Sequence, residues 1–335
     1  MLGALFRGFR AVAWNWGLVV LVLAVNLGLA LVLALPFASQ LERELAHRGS
    51  SATMMYSFDY DWWTRWSEGQ TGYAHSFAPD VFGAGFVFKN LDLLLGEHPP
   101  AGVLPVDGLR PDRPRAVRLP PPPPALDPLI MAVGVLYLLV QVFLTGGLLG
   151  VLRAPQGGWT FRGLIHGSGF YFGRLLRVSL LALGLVAIVF VANAPFARWM
   201  DELAREAVSE RTALAIGLGR HALLLGVLGV VHMLASFARV IVVREERRSA
   251  ALALVSSLGF CARNLASALG QYAVVLLLAL LLLVAWTAVD SRLVVLGWRS
   301  QLLAFALFEA FVLGRIGLRL GLLASQLELH RARGR

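Results

Sequence analysis

Charge is scarce in this chain. Only 15% of its 335 residues are Asp, Glu, Lys or Arg, against about 25% in an ordinary soluble domain. Hydrophobic residues make up 58%, and a soluble fold has no place to put that much apolar side chain. A soluble globular class is therefore excluded. Lysine is all but missing, with Lys89 standing beside 29 arginines. Cysteine is represented by Cys261 alone, which excludes an intrachain disulfide and leaves no thiol for an outer domain. The motifs of soluble catalysis are missing too: there is no Walker A, no GxSxG and no HExxH. GSGFYFG at 167–173 lacks GxGxxG spacing and follows no strand. The seven histidines are scattered without metal-ligand spacing. No catalytic residue, metal or cofactor is expected, and a standard soluble-type active site is not.

What is present is a series of long apolar runs. Six of them, at roughly 15–36, 128–152, 177–195, 213–238, 270–289 and 301–323, each approach the ~20 residues that cross a hydrocarbon core. The fold class is all-α, a polytopic membrane protein with six transmembrane helices. The opening, Arg7 and Arg10 before an apolar stretch from Gly17 to Leu35, is longer than a typical signal h-region. Its end at Pro36, Phe37 and Ala38 matches a cleavage site poorly, so it reads as an uncleaved first span.

The net charge of +10 is distributed unevenly. Residues 153–177 hold Arg153, Arg162, Arg174 and Arg177 and no acid. Residues 239–263 hold five arginines against two glutamates, and the tail after Leu313 five against one. Residues 37–127, in contrast, hold eight basic and eleven acidic residues, and 196–212 three and four. This alternation follows the positive-inside rule. It predicts a multi-pass protein of the cytoplasmic (inner) membrane with both termini cytoplasmic. The arginines then serve topology and anionic lipid headgroups rather than nucleic acid.

Four regions are expected. Residues 1–36 form a surface helix and the first span, 37–98 an extracytoplasmic aromatic-rich cap, and 99–127 a Pro-rich spacer whose Pro120–Pro124 run favours polyproline II. Residues 128–335 form a five-span domain with cytoplasmic amphipathic helices. Steps of 4, 3, 4, 3 recur at Leu2, Phe6, Phe9, Ala13 and Trp16, again at Phe161, Ile165, Ser168, Phe172 and Leu175, and again at Ala251, Val255, Leu258, Ala262 and Leu265. Each makes one stripe on a helix suited to the headgroup layer. The chain thus divides into three units of surface helix, span out and span back.

The stretch RVIVVREERRSAALALVSSLGFCARNLASALGQY, 239–272, sets an arginine-rich turn before an amphipathic helix and a span. In this it resembles bacterial six-span proteins of the glycerophosphodiester-phosphodiesterase membrane-domain type and their uncharacterised relatives. The resemblance covers about the last two-thirds of the chain. It implies a membrane module and not that enzyme's activity, because the catalytic phosphodiesterase domain is absent. The long outer insert is a further departure.

Three groups of residues are candidates for a site. Glu309 lies within the sixth span, where a carboxylate faces a cavity or a partner. Arg220 lies at similar depth in the fourth, and His221 and His232 share that span. The pattern predicts either a proton- or substrate-linked polar site or a structural Glu309–Arg220 pair. In SFDYDWWTRW, residues 57–66, Phe58, Tyr60, Trp62, Trp63 and Trp66 alternate or cluster with Asp59 and Asp61. These aromatics suit a cap resting on the membrane or, alternatively, a site stacking a sugar or acyl chain. Arg244, Arg247 and Arg248 are candidates for headgroup binding. Asn26, Gln141, Thr145 and Asn193 are expected to make interhelical hydrogen bonds. LTGGLLG at 144–150, and Gly317 with Gly321, have small-residue spacing for close helix packing.

The function these patterns predict is a non-catalytic integral membrane module binding membrane lipids or a protein partner in the membrane, not nucleic acid. The alternatives are a transporter or permease-like subunit for a small or amphiphilic solute, and a lipid-modifying membrane enzyme.

Overall fold

The structure is a computed structural model and describes residues 1–45, 60–68, 128–153, 159–207, 209–293 and 297–334. Among the described residues every regular element is a helix. In order they are α1 (Leu2–Trp14), α2 (Trp16–Leu45), α3 (Tyr60–Glu68), α4 (Pro128–Arg153), α5 (Phe161–Glu206), α6 (Glu210–Glu245), α7 (Ala250–Arg263), α8 (Leu265–Asp290) and α9 (Trp298–Arg333). Helices α2, α4, α5, α6, α8 and α9 are long and apolar enough to cross a membrane. The protein is an all-α polytopic membrane protein, as its composition requires.

The helices outrun the apolar stretches. The first predicted span ends at 36, yet α2 continues to Leu45 with Pro36 inside it. The second predicted surface helix is not separate: residues 161–206 form one helix of 46 residues with Pro195 inside it. The reason lies at equivalent positions of the three units. Asn15 closes α1 and Asn264 closes α7. In each, the backbone N–H bonds back to the helix while the side-chain amide donates to the carbonyl four residues earlier, Ala11 at 2.9 Å and Phe260 at 3.1 Å. Asparagine is a poor helix former that competes for backbone carbonyls. The middle unit has Arg174 at that place, a good helix former, and the helix runs on. Side chains also start the helices: Thr160 accepts from the Gly163 N–H at 3.1 Å and Ser249 from the Leu252 N–H at 3.3 Å, ordinary N-caps.

The chain divides into two compact units. The first holds Met1–Ala30, Leu136–Ala288 and Leu302–Arg335, the second Leu31–Val135 and Val289–Gln301. In the first, α6 is the central post. Its most apolar window is 56% buried, against 22% or less in every other span. The buried length is its last third, including Phe237, Ala238, Val240, Ile241, Val242 and Val243. Around it pack Leu144–Leu149 of α4, Leu164, Tyr171 and Leu175 of α5, and Leu320–Leu327 of α9. In the second unit Trp62, Trp63 and Trp66 of α3 bury themselves with Phe37, Leu41 and Leu45 of α2.

Small residues permit the closest approaches. A Cβ on Gly8 of α1 would run into the Ser325 backbone of α9, and one on Gly147 of α4 into the Leu164 carbonyl of α5. LTGGLLG is thus a packing face. Gly321 meets the ring of Phe9, whereas Gly317 faces open space. The short helices are two-sided. Toward the bundle α1 presents Ala4, Leu5, Gly8 and Val12, and α7 presents Ala253, Ser257 and Cys261. Away from it, Leu2, Phe6, Val255 and Leu258 of the predicted stripes are exposed. Small residues seat the helix on its neighbours and large ones are left for lipid.

Candidate functional site

Both termini of the described chain lie at one end of the first unit, where the arginines gather. Three glutamates organise them. Glu328 holds Arg7 (3.1 Å) and Arg331 (2.9 Å), Glu246 holds Arg153 (2.9 Å), and Glu245 holds Arg247 (2.6 Å). The left-handed Glu246 (φ 53°) turns its carbonyl to Arg174 at 3.0 Å. Of the predicted headgroup residues, Arg244 lies against His330 and Arg247 also donates to Ser256 Oγ at 2.6 Å. These two tie α6 to α9 and α7, and only Arg248 of the three stays exposed without an internal bond among the described residues. Arg10 and Arg162 share that condition.

At the same end the first unit has a groove of about 510 Å³, lined by Trp14, Trp16, Gly17, Val20, Leu21, Ala24 and Trp159. Its lining carries no charge. Gly17 makes it possible, since a Cβ there would stand 2.8 Å from the Trp159 ring. Trp14 and Trp16 flank the Asn15 break and are 79% and 69% exposed, so the groove opens sideways along a membrane span. Arg10 stands one helical turn before Trp14 and Arg162 three residues after Trp159. The sequence carries the signal for this groove in WNW at 14–16 and GGWT at 157–160, neither of which has a catalytic or packing pattern.

Inside the bundle a chain of polar side chains crosses several helices. Gln141 donates to Asn26 Oδ1 at 2.7 Å and accepts from Arg319 at 3.1 Å, joining α2, α4 and α9. Thr145 donates back to the Gln141 carbonyl at 2.6 Å. Ser236 donates to Gln326 at 2.6 Å, Gln326 donates to the Tyr272 hydroxyl at 3.2 Å, and that hydroxyl lies 3.3 Å from His232 Nδ1. Buried Gln271 donates to the Ser325 carbonyl at 3.0 Å. Two of the predicted interhelical residues, Asn26 and Gln141, meet each other, and Asn193 makes no such bond among the described residues.

The expected Glu309–Arg220 pair does not form. Arg220 bonds to Asp201, at the end of α5, and lies 2.9 Å from His221. Asp201 follows Pro195 on the continuous α5, so the helix extension that the apolar run conceals supplies the nearer acid. Glu309 is half-buried and makes no internal bond among the described residues. His232 joins Tyr272 and not Arg220.

In α3 the Trp62 and Trp66 rings stack with centroids 5.6 Å apart, Trp63 sits 5.1 Å from Trp66, and Phe37 meets Trp63 and Trp66 edge-on. The three tryptophans fill one another's faces as a small hydrophobic core. Asp61 is exposed. Phe58 and Asp59, like the spacer at 99–127, lie outside the described residues. Cys261 is buried between α7 and α6, and burial pushes its thiol up to about 11. Among the described residues no three His, Cys, Asp or Glu side chains gather as a metal site.

No family model, curated protein or solved structure matches this chain.

Proposed function

We propose that this protein is a non-catalytic membrane module that binds lipid, with an acyl chain seated in the groove of Trp14, Trp16 and Trp159. The observation that carries the proposal is the groove itself. It is apolar, it opens toward the side of a span, and it is walled by tryptophans, which favour the membrane interface. Exposed Arg10, Arg162 and Arg248 supply cations for an anionic headgroup at the same end. By the balance of basic residues, that end faces the cytoplasm and the membrane is the inner one. The membrane-module character implied by the resemblance to the phosphodiesterase membrane domains agrees with this reading.

The test fills the groove. Ala24→Trp adds a bulky ring to its wall without touching the basic network. Native mass spectrometry of the gently solubilised wild type is expected to retain lipid, and the variant to lose it while staying folded. Equal lipid retention in both sinks the proposal.

A second reading, a permease-like subunit, is favoured by the polar chain from Asn26 through Arg319 and by the separate set at Tyr272. A hydrated path needs such groups within the spans. Solute flux in reconstituted vesicles that depends on Gln141 would favour it over the lipid module.

A further inference from the structure

Asn26, Gln141 and Arg319 meet at one depth on three spans. Asn26 is ten residues past Trp16, Gln141 twelve before Arg153 and Arg319 twelve before Arg331. At 1.5 Å per residue all three lie about 15–18 Å from the basic end, near the middle of a ~30 Å hydrocarbon layer. Their bonds have one possible direction. Arg319 can only donate, so Gln141 Oε1 accepts at 3.1 Å, Gln141 Nε2 donates, and Asn26 presents Oδ1 to it at 2.7 Å. The Asn26 amide N–H groups and the other N–H groups of Arg319 are then left over. Neither residue makes a further bond among the described residues. The chain therefore ends in donors on both sides, carries one full positive charge and holds no carboxylate.

The charge is turned outward. Arg319 is exposed, and its bond to buried Gln141 holds the guanidinium at this level. A long cation in a span otherwise reaches back to the headgroups. Arg315, one turn deeper, is exposed too and lies over the Phe311 ring at 5.8 Å. Steps of 3, 4, 3 and 4 set Phe305, Phe308, Val312, Arg315 and Arg319 on one face of α9. All are exposed except the half-buried Val312. No acid stands beside the cations. Glu309 is turned about 120° round the helix from Arg315, and Glu328 is committed to Arg7 and Arg331.

We propose that this face of α9 docks a transmembrane helix of a partner protein, whose Asp or Glu pairs with Arg319. Charge complementarity and depth choose the occupant. A lipid phosphate is tied by its own glycerol to the headgroup layer. A carboxylate on a membrane-spanning helix stands at any depth, and ionisable groups within spans pair with one another. The guanidinium offers that carboxylate paired N–H donors, and Gln141 keeps them in place. Phe305 and Phe308 pack against the apolar side chains of the same helix. This face is separate from the Trp14–Trp159 groove and does not depend on it.

The test uses the full chain in phosphatidylcholine vesicles, with synthetic single-span helices as probes. Each is a dansyl-labelled polyleucine helix of about 22 residues with leucine, asparagine or aspartate at its centre. That centre lies about 16 Å from either end, so the probe fits in either orientation. Docking is read as energy transfer from the protein's tryptophans to dansyl. The wild type is expected to bind the aspartate helix about tenfold or more tightly than the leucine helix. Arg319→Gln should lose that preference. Gln141→Glu should lose it too, because it supplies the carboxylate from within, and it serves alone if Arg319→Gln does not fold. Arg205→Gln, an equal charge change in the last turn of α5, should keep it. Equal binding of the three helices, or an asparagine helix bound as tightly as the aspartate one, overturns the proposal. So does a preference kept in a folded Arg319→Gln or Gln141→Glu protein, or lost in Arg205→Gln. Displacement of the aspartate helix by phosphatidylglycerol assigns the face to a lipid phosphate and also overturns the proposal. A wild-type dimer that Arg319→Gln dissolves gives the face to a second copy, with the same consequence.

Discussion

Gly8 is the point where α1 touches the bundle backbone to backbone, and replacing it tests how that helix is held. An alanine Cβ there would stand 2.6 Å from Ser325 Cα and 2.9 Å from the Ala324 carbonyl carbon. Neither can swing aside as a side-chain tip does, so α1 must move away from α9. Gly3 is the internal control. It lies on the same helix, and the atom nearest its added Cβ is Arg7 Nη1, at 3.5 Å and at the end of a flexible chain. Both substitutions gain the helix propensity of alanine over glycine, about 0.8–1.0 kcal/mol. Only Gly8→Ala incurs overpacking, about 1–3 kcal/mol. The difference between the two variants is therefore expected to be about 1–3 kcal/mol, with Gly3→Ala the more stable. Unfolding in mixed micelles of rising SDS fraction, followed by tryptophan fluorescence, gives both values under one condition. Because the displaced helix carries Trp14, Gly8→Ala is also expected to lose lipid from the groove. A Gly8→Ala protein as stable as Gly3→Ala would refute the close α1–α9 contact, and with it the placement of the groove's wall.

Three further outcomes are expected. Cys261 reacts with maleimide as the thiolate, and burial holds its thiol near 11 rather than the ordinary 9.0. Its labelling rate should keep rising about tenfold per pH unit beyond pH 9, whereas a plateau near 9 in the folded protein contradicts the burial. Gln141→Leu removes the acceptor of Arg319 and the donor to Asn26 and should cost about 1–3 kcal/mol. Gln141→Glu should restore that stability by pairing with Arg319, and a leucine variant as stable as wild type would show the chain to be idle. Arg220→Gln and Asp201→Asn should each lower stability by about 0.2–1 kcal/mol and be non-additive together. Arg220→Gln and Glu309→Gln should simply add, so a coupling between those two would restore the pair that the structure does not form.

Much of the fold is legible in the sequence because apolar length and charge-free runs are local properties. Each of the six predicted runs coincides with a helix long and apolar enough to cross a membrane. Their ends are not legible in the same way. Hydropathy falls off at 36, 195, 238 and 323, but a helix ends only when a residue offers its backbone something better. Pro36 and Pro195 do not end α2 and α5, while Asn15 and Asn264 end α1 and α7 with their own side-chain amides. Arg174 stands at the corresponding step of the second apolar stripe, where α5 runs on without a break.

The polar sites are less legible in the sequence for a geometric reason. Gln141 and Arg319 are 178 residues apart, and nothing local says that their helices meet. Arg319 counts among the basic residues of the tail when position in sequence is the only guide. Helix length corrects that view. Because α9 continues unbroken to Arg333, the charges that reach the basic end are Arg331 and Arg333, and Arg319 is left three turns inside. The same count along α6 puts Arg244 at the end and Arg239 more than a turn within. An arginine that marks an end needs no partner beyond water and headgroups. One farther along a helix finds a partner in the protein, as Arg319 does in the Gln141 side chain.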